Sequence, residues 1–128
     1  MSRRAAGLLG AVVVTVACHA PRDAAASTSV AWTLRPEPVV LGPATLTVTL
    51  RDPANTPIDR AVVRVVGHMS HPGMAPITAA AVPRGGGRYE AGLAFTMRGD
   101  WVLVVSIQLP DGRRVERRID VPNVQPAP

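Results

Sequence analysis

Residues 45–51 alternate strictly between polar and apolar side chains, and this alternation constrains the fold more than any other feature of the chain. Leu46, Val48 and Leu50 occupy the even-numbered positions, and threonines occupy positions 45, 47 and 49 between them. Successive side chains of a β-strand point to opposite faces of a sheet, so a period of two predicts a strand with one buried face. The segment therefore predicts a sheet that packs through one side.

Six further segments are typical of strands, namely 30–34, 61–66, 77–82, 89–95, 101–109 and 113–121. Three consecutive glycines at 85–87 supply positive φ angles for a turn, and the Pro-Asp-Gly run at 110–112 fits a tight connection. No segment beyond the N-terminal apolar run has a helical period. Seven short strands predict an all-β fold, an immunoglobulin-like antiparallel β-sandwich of about seven strands.

The first 17 residues do not follow the strand pattern. Arg3 and Arg4 precede an apolar run of small residues that ends at Ala17 and is too short to span a bilayer. A charged start followed by such a run is typical of a signal peptide, so residues 1–17 predict export.

Cys18 follows this run directly and is the only cysteine of the chain. Residues 14–18 resemble the lipobox of bacterial lipoproteins, in which the cysteine is acylated, although Thr15 stands where Leu is usual. We predict a lipid anchor on Cys18 that holds the protein at a membrane of the bacterial envelope, facing the periplasm. Cleavage near Ala20 or within 24–26, which would release a soluble periplasmic protein, is the alternative.

Composition sets the remaining boundaries. Residues 18–29 predict a flexible tether, residues 30–121 the folded domain, and residues 122–128, with three prolines in seven positions, a disordered tail. Residues 1–17 hold two of the 14 basic residues and none of the nine acidic ones, so without them the net charge falls from +5 to +3. So small a charge does not indicate nucleic-acid binding.

The strongest chemical signal is a segment at 67–76 that is rich in histidine and methionine. It contains His68, Met69, His71 and Met74. Imidazole and thioether are soft, neutral ligands that suit copper, Cu(I) above all. Between Asp59 and Glu90 there is no carboxylate, which disfavours calcium and magnesium, and zinc sites usually add thiolates or further histidines.

Strand connectivity brings one more methionine to this segment. Suppose that strand 61–66 runs toward one end of the sandwich, strand 77–82 runs away from it, and strand 89–95 runs toward it again. Met97, which follows the last of these strands, then lies at the same end as loop 67–76. The predicted copper ligands are His68, His71, Met74 and Met97, with Met69 as a substitute. The structural alternative is that Met97 fills a gap in the core and the histidines are exposed turn residues.

The same region resembles a known family. The matching residues are the His/Met run 68–74, the Gly-Arg-Tyr-Glu-Ala run 87–91 and the Phe-Thr-Met-Arg-Gly-Asp-Trp run 95–101. They resemble the YtkA-like domain, over about residues 30–121. The resemblance implies a small extracytoplasmic β-sandwich, similar to the FixH family of cytochrome oxidase assembly proteins that is linked with copper delivery.

Two functions of different class remain open. The first is an envelope protein that binds copper and exchanges it with an envelope metal transporter or assembly protein. The second is an interaction module without metal, which docks onto an envelope complex through a sheet edge or the arginine-rich strand 113–118. The chain shows no nucleophile with a base and no phosphate loop, so we predict that it is not an enzyme.

Overall fold

The computed structural model describes residues 28–128. This part of the chain forms eight strands, which are β1 (Ser29–Arg35), β2 (Gly42–Arg51), β3 (Val62–Met69), β4 (Ile77–Ala80), β5 (Val82–Gly85), β6 (Arg88–Phe95), β7 (Gly99–Gln108) and β8 (Arg114–Val124). They make two antiparallel sheets, sheet I in the order β1-β2-β6-β5 and sheet II in the order β4-β3-β7-β8. The predicted all-β sandwich is confirmed, with eight strands rather than seven.

The predicted signal peptide, Cys18 and most of the predicted tether lie outside the described residues. Residues 28–128 contain no helix that is long and apolar enough to cross a bilayer.

The additional strand arises within the predicted strand 77–82, which is divided at Ala81. β4 pairs with β3 in sheet II, whereas β5 pairs with β6 in sheet I. The main-chain N–H of Ala81 still donates to the carbonyl of Val63, and the next residue joins the other sheet. The alanines at 79–81 are small enough to cross between sheets, and they carry no turn signal that would have predicted the break.

The core lies between the inner faces of the two sheets. β2 buries Leu46, Val48 and Leu50, as the alternation predicted, and β7 buries Trp101 with the three apolar residues that follow on the same parity. The two inner faces form one hydrophobic cluster. Residues 28–128 thus share one core, as a domain that folds by itself does.

Two contacts between the sheets define the ends of the sandwich. Val40 forms a parallel bridge with Gln125, and the hydroxyl of Tyr89 accepts a hydrogen bond from the N–H of Ala61. The first contact marks what we call the methionine end, with loops 36–41, 70–76 and 96–98. The second marks the tether end, with Thr28 and loops 52–61 and 109–113.

β8 extends through Val124, although the sequence predicted a tail from residue 122. Val124 is buried, and the next residue joins the loop between β1 and β2, because Gln125 donates to the carbonyl of Val39 and accepts from the N–H of Leu41. The predicted tail is therefore wrong at its start, and regular structure ends only after residue 125.

The charged residues of β8 form a solvated strand face. Val115 and Ile119 are buried, whereas the alternating Arg114, Glu116, Arg118 and Asp120 are exposed. Arg118 and Asp120 form an ion pair of 3.0 Å on this face. The alternation of charged and apolar residues in this strand thus has a structural explanation.

Candidate metal site at the methionine end

β3 carries two of the candidate ligands into the methionine end. It extends through Met69, so His68 and Met69 lie in the strand and not in the loop predicted at 67–76. His68 is exposed on the outer face of sheet II, whereas Met69 is half-buried against the core. Since neighbouring side chains of a strand point to opposite faces, His68 and Met69 direct their donor atoms to opposite sides. This geometry disfavours Met69 as a ligand of the same ion as His68.

Trp101 holds the strand end and the β6–β7 turn together. Met69 is the β-ladder partner of Trp101, and the indole N–H of Trp101 donates to the carbonyl of Met97 at 2.9 Å. The indole is buried and packs edge to face against Phe95, with ring centroids 5.5 Å apart. Both methionines are therefore linked to Trp101, Met69 through main-chain pairing and Met97 through the indole.

The loop 70–76, which carries His71 and Met74, is attached to β7 at its first residue. The main-chain N–H and the hydroxyl of Ser70 both donate to the carbonyl of Asp100, at 3.2 and 3.3 Å. β7 also begins directly after the turn that contains Met97. The structure thus brings His71, Met74 and Met97 to one end, on two neighbouring connections.

Two of the methionine side chains at this end face solvent. Met74 is 39% exposed and Met97 is 42% exposed, whereas the other large residues on the parity of β6 are buried. Met97 therefore does not fill a gap in the core, which was the structural alternative for this residue.

The donor atoms at the methionine end are mainly sulfur and imidazole nitrogen. Nowhere in residues 28–128 do three side chains from histidine, cysteine, aspartate and glutamate gather closely enough to hold a metal ion. The carboxylate of Asp100, next to Ser70, accepts a hydrogen bond of 2.8 Å from the N–H of Asn123. Thioethers combined with imidazole are a donor set that suits soft Cu(I) rather than calcium or magnesium.

A second feature, which sequence reasoning missed, is a lateral cleft of about 620 Å³ between β1 and β8. Its walls include Trp32, Leu34 and Val39 on one side and Val121 and Pro122 on the other. Trp32 has the parity of the inward-facing residues of β1, yet it is 46% exposed because the two sheets separate along this side. The alternation of side chains alone would place Trp32 in the core, and this alternation does not predict the cleft.

Comparison with known proteins identifies the family. A family model described as YtkA-like matches residues 24–106, which is more than half of the chain. The chain belongs to the YtkA-like family. The match includes β1 to β6, most of β7 and every candidate ligand at the methionine end, and it stops before β8. This confirms the family resemblance of the YtkA-like domain, and a search of curated proteins finds no match.

Proposed function

We propose that this YtkA-like protein is an extracytoplasmic copper-binding protein that takes up Cu(I) through His68, His71, Met74 and Met97. The observation that carries the proposal is the exposure of Met74 and Met97 at the end that also holds both imidazoles. A half-exposed methionine contributes less apolar burial to the core than a buried one. Its sulfur stays accessible to a soft metal ion.

The proposed site consists of residues that would bind the copper ion and residues that hold these ligands in place. Thioethers and neutral imidazoles bind Cu(I) without losing a proton, so copper could enter and leave with no thiol chemistry. Trp101 positions the turn of Met97 through its hydrogen bond to the main chain, and Ser70 attaches the loop of His71 to β7. These contacts give exposed ligands a rigid support.

We further propose that the protein acts by binding rather than by catalysis. His68 and His71 are exposed, and within residues 28–128 neither imidazole makes a hydrogen bond to a serine or to a carboxylate. A catalytic histidine is normally oriented by such partners.

The position of Ser29 supports an anchor at the end of the domain opposite to the methionine end. β1 begins at the tether end, so a tether would join the domain at Ser29, about one strand length from the methionine end, on the order of 25 Å. With a lipid on Cys18, the ligands would face an envelope transporter or assembly protein. If cleavage occurs near Ala20 instead, the same domain would be soluble in the periplasm.

A Cu(I) competition titration of residues 21–128 tests the proposed site. A variant with Met74→Leu and Met97→Leu removes both sulfurs and keeps the side-chain size, and a variant with His68→Ala and His71→Ala removes both imidazoles. We expect one tight equivalent in the parent and its loss in each variant. Met69→Leu is the matched control and should bind as the parent does.

Binding that survives in the double methionine variant would contradict a thioether site, and equal binding by all the variants would contradict the site altogether. A sample in which copper binds nowhere would favour the second candidate, an interaction module without metal. The observation that supports this second function is the lateral cleft with its exposed Trp32.

A further inference from the structure

We infer that two copies of this protein pair through β1, edge to edge and antiparallel. β1 is hydrogen-bonded to β2 along one edge, and no main-chain hydrogen bond in residues 28–128 joins its other edge to a further segment. The free edge of a strand presents unpaired N–H and C=O groups, which are a template for another strand. The candidate copper ligands lie in β3 and in loops 70–76 and 96–98, and none of them is in β1.

The other edge strands in the described part of the chain are protected against such pairing. β4 and β5 have four residues each, and β5 contains Pro83 and a register shift. β8 contains Pro122, exposed charges, and Arg117 on the parity of its buried residues. β1 lacks these devices, because residues 29–34 contain neither a charge nor a proline and only Arg35 at the end is charged.

The side chains of β1 match a second copy of the same strand. Antiparallel pairing centred on Trp32 would put apolar residues opposite apolar ones and small residues opposite small ones. The pairs would be Val30 with Leu34, Ala31 with Thr33, and Ser29 with Arg35 of the second copy. No like charges would face each other, and opposed like charges are what would disfavour a cross-strand pair.

The exposed indole of Trp32 also favours β1 of a second copy as the partner of this edge. Leu34 is buried and Val30 is half-buried on the inner parity of β1, whereas Trp32 between them is 46% exposed at the cleft. In the pairing centred on this residue, the two indoles would lie opposite each other where the clefts meet. Cross-strand aromatic pairs are among the stabilising contacts of antiparallel sheets.

Sedimentation of residues 21–128 over a wide range of concentrations tests the inference. We expect a dimer that forms as the concentration rises, with a blue shift of the Trp32 fluorescence, since Trp101 is already buried. In variants with Ala31→Lys and Thr33→Lys, or with Ala31→Glu and Thr33→Glu, like charges would oppose each other twice. For each variant alone, the dissociation constant of the dimer should rise at least about tenfold. An equimolar mixture of the two variants should restore a dimer that contains one copy of each.

The matched control carries the same two added charges away from the edge. Thr78 in β4 and Ala94 in β6 are exposed, and neither strand is hydrogen-bonded to β1, so a variant with Thr78→Lys and Ala94→Lys should dimerise as the parent does. A parent that stays monomeric throughout would overturn the inference. A dimer that persists equally in both charged edge variants would do so too, because its interface would lie elsewhere.

Discussion

The indole nitrogen of Trp101 donates a hydrogen bond of 2.9 Å to the main-chain oxygen of Met97. The bond joins a residue that is 1% exposed in β7 to a turn residue that is 42% exposed. The position of a candidate copper ligand at the surface therefore depends on a side chain in the core.

Replacement of Trp101 by Phe should weaken both the fold and the proposed site. Phenylalanine keeps an aromatic ring beside Phe95 but removes the donor to Met97 and part of the buried area, so the free energy of unfolding should fall by about 2 kcal/mol. Denaturant unfolding measures this change, and Cu(I) affinity should fall with it. Trp32→Phe at the exposed cleft is the control, with an expected change below about 0.5 kcal/mol. Equal effects at the two tryptophans would contradict the role of Trp101.

Loss of the exposed sulfurs should lower the affinity for copper and leave the stability of the fold nearly unchanged. Met74→Leu and Met97→Leu change residues at the surface, so each should alter the free energy of unfolding by less than about 0.5 kcal/mol. The Cu(I) affinity of each variant should nevertheless fall. Thermal unfolding without copper, recorded beside the competition titration, distinguishes this result from a general loss of structure.

The close packing of Gly67 should make even one added methyl group costly. A Cβ at this residue would lie 2.7 Å from Cγ1 of Ile77 and 3.0 Å from Cδ2 of Leu103. Gly67→Ala should therefore destabilise the domain by about 1–3 kcal/mol in urea unfolding. It should also disturb loop 70–76, because Ile77 is the residue that follows this loop.

Gly92 provides the matched control, because it lies in β6 with open space around the position of a Cβ. Gly92→Ala should leave the stability unchanged or raise it by up to about 1 kcal/mol. If the two alanine variants unfold alike, the close approach at Gly67 has no energetic consequence.

The hydroxyl of Tyr89 ties the loop between β2 and β3 to sheet I. It donates to the carbonyl of Ile58 at 2.7 Å and accepts from the N–H of Ala61 at 3.1 Å. Tyr89→Phe would leave both main-chain groups without this partner, so the free energy of unfolding should fall by about 1–3 kcal/mol. An unchanged midpoint in urea would contradict this contribution.

The same tyrosine should make the domain sensitive to alkaline pH. Burial raises the pKa of Tyr89 above its ordinary value of 10.0, Asp59 raises this pKa further, and the bond from Ala61 opposes the shift in part. The folded state then holds the phenol proton more tightly than the unfolded chain. This stabilisation is complete below pH 10 and is lost as the pH rises through the higher pKa of the folded state.

Tyr89 is the only tyrosine, so phenolate absorbance reports its ionisation directly. We expect the absorbance to rise at a higher pH in the folded protein than in the chain unfolded by urea. Coincident titration curves would contradict the raised pKa. In the Tyr89→Phe variant, the free energy of unfolding should no longer show this loss at alkaline pH.

Much of the fold was predictable because alternation is a local property. The parity of Leu46, Val48 and Leu50 identified the buried face of β2. The turn at 96–98 was also predicted at the same end as the His/Met segment, since antiparallel strands that follow one another reverse direction each time.

The relations between distant segments were not predictable in this way. A run of small alanines does not show that the chain changes sheets at Ala81, and three prolines do not show that Val124 is buried beside loop 36–41. His68 and Met69 were grouped as ligands because they are adjacent in sequence, whereas β3 points them to opposite sides.

By itself, the sequence determined that the domain is a β-sandwich of the YtkA-like family and which residues offer soft donor atoms. Only the tertiary structure decided that Met97 is exposed, that Trp101 holds its turn, and that β1 is an edge strand of sheet I within residues 28–128. The physical reason is that strand periodicity follows from neighbouring residues, whereas the exposure of a side chain or an edge depends on which distant segments pack against it.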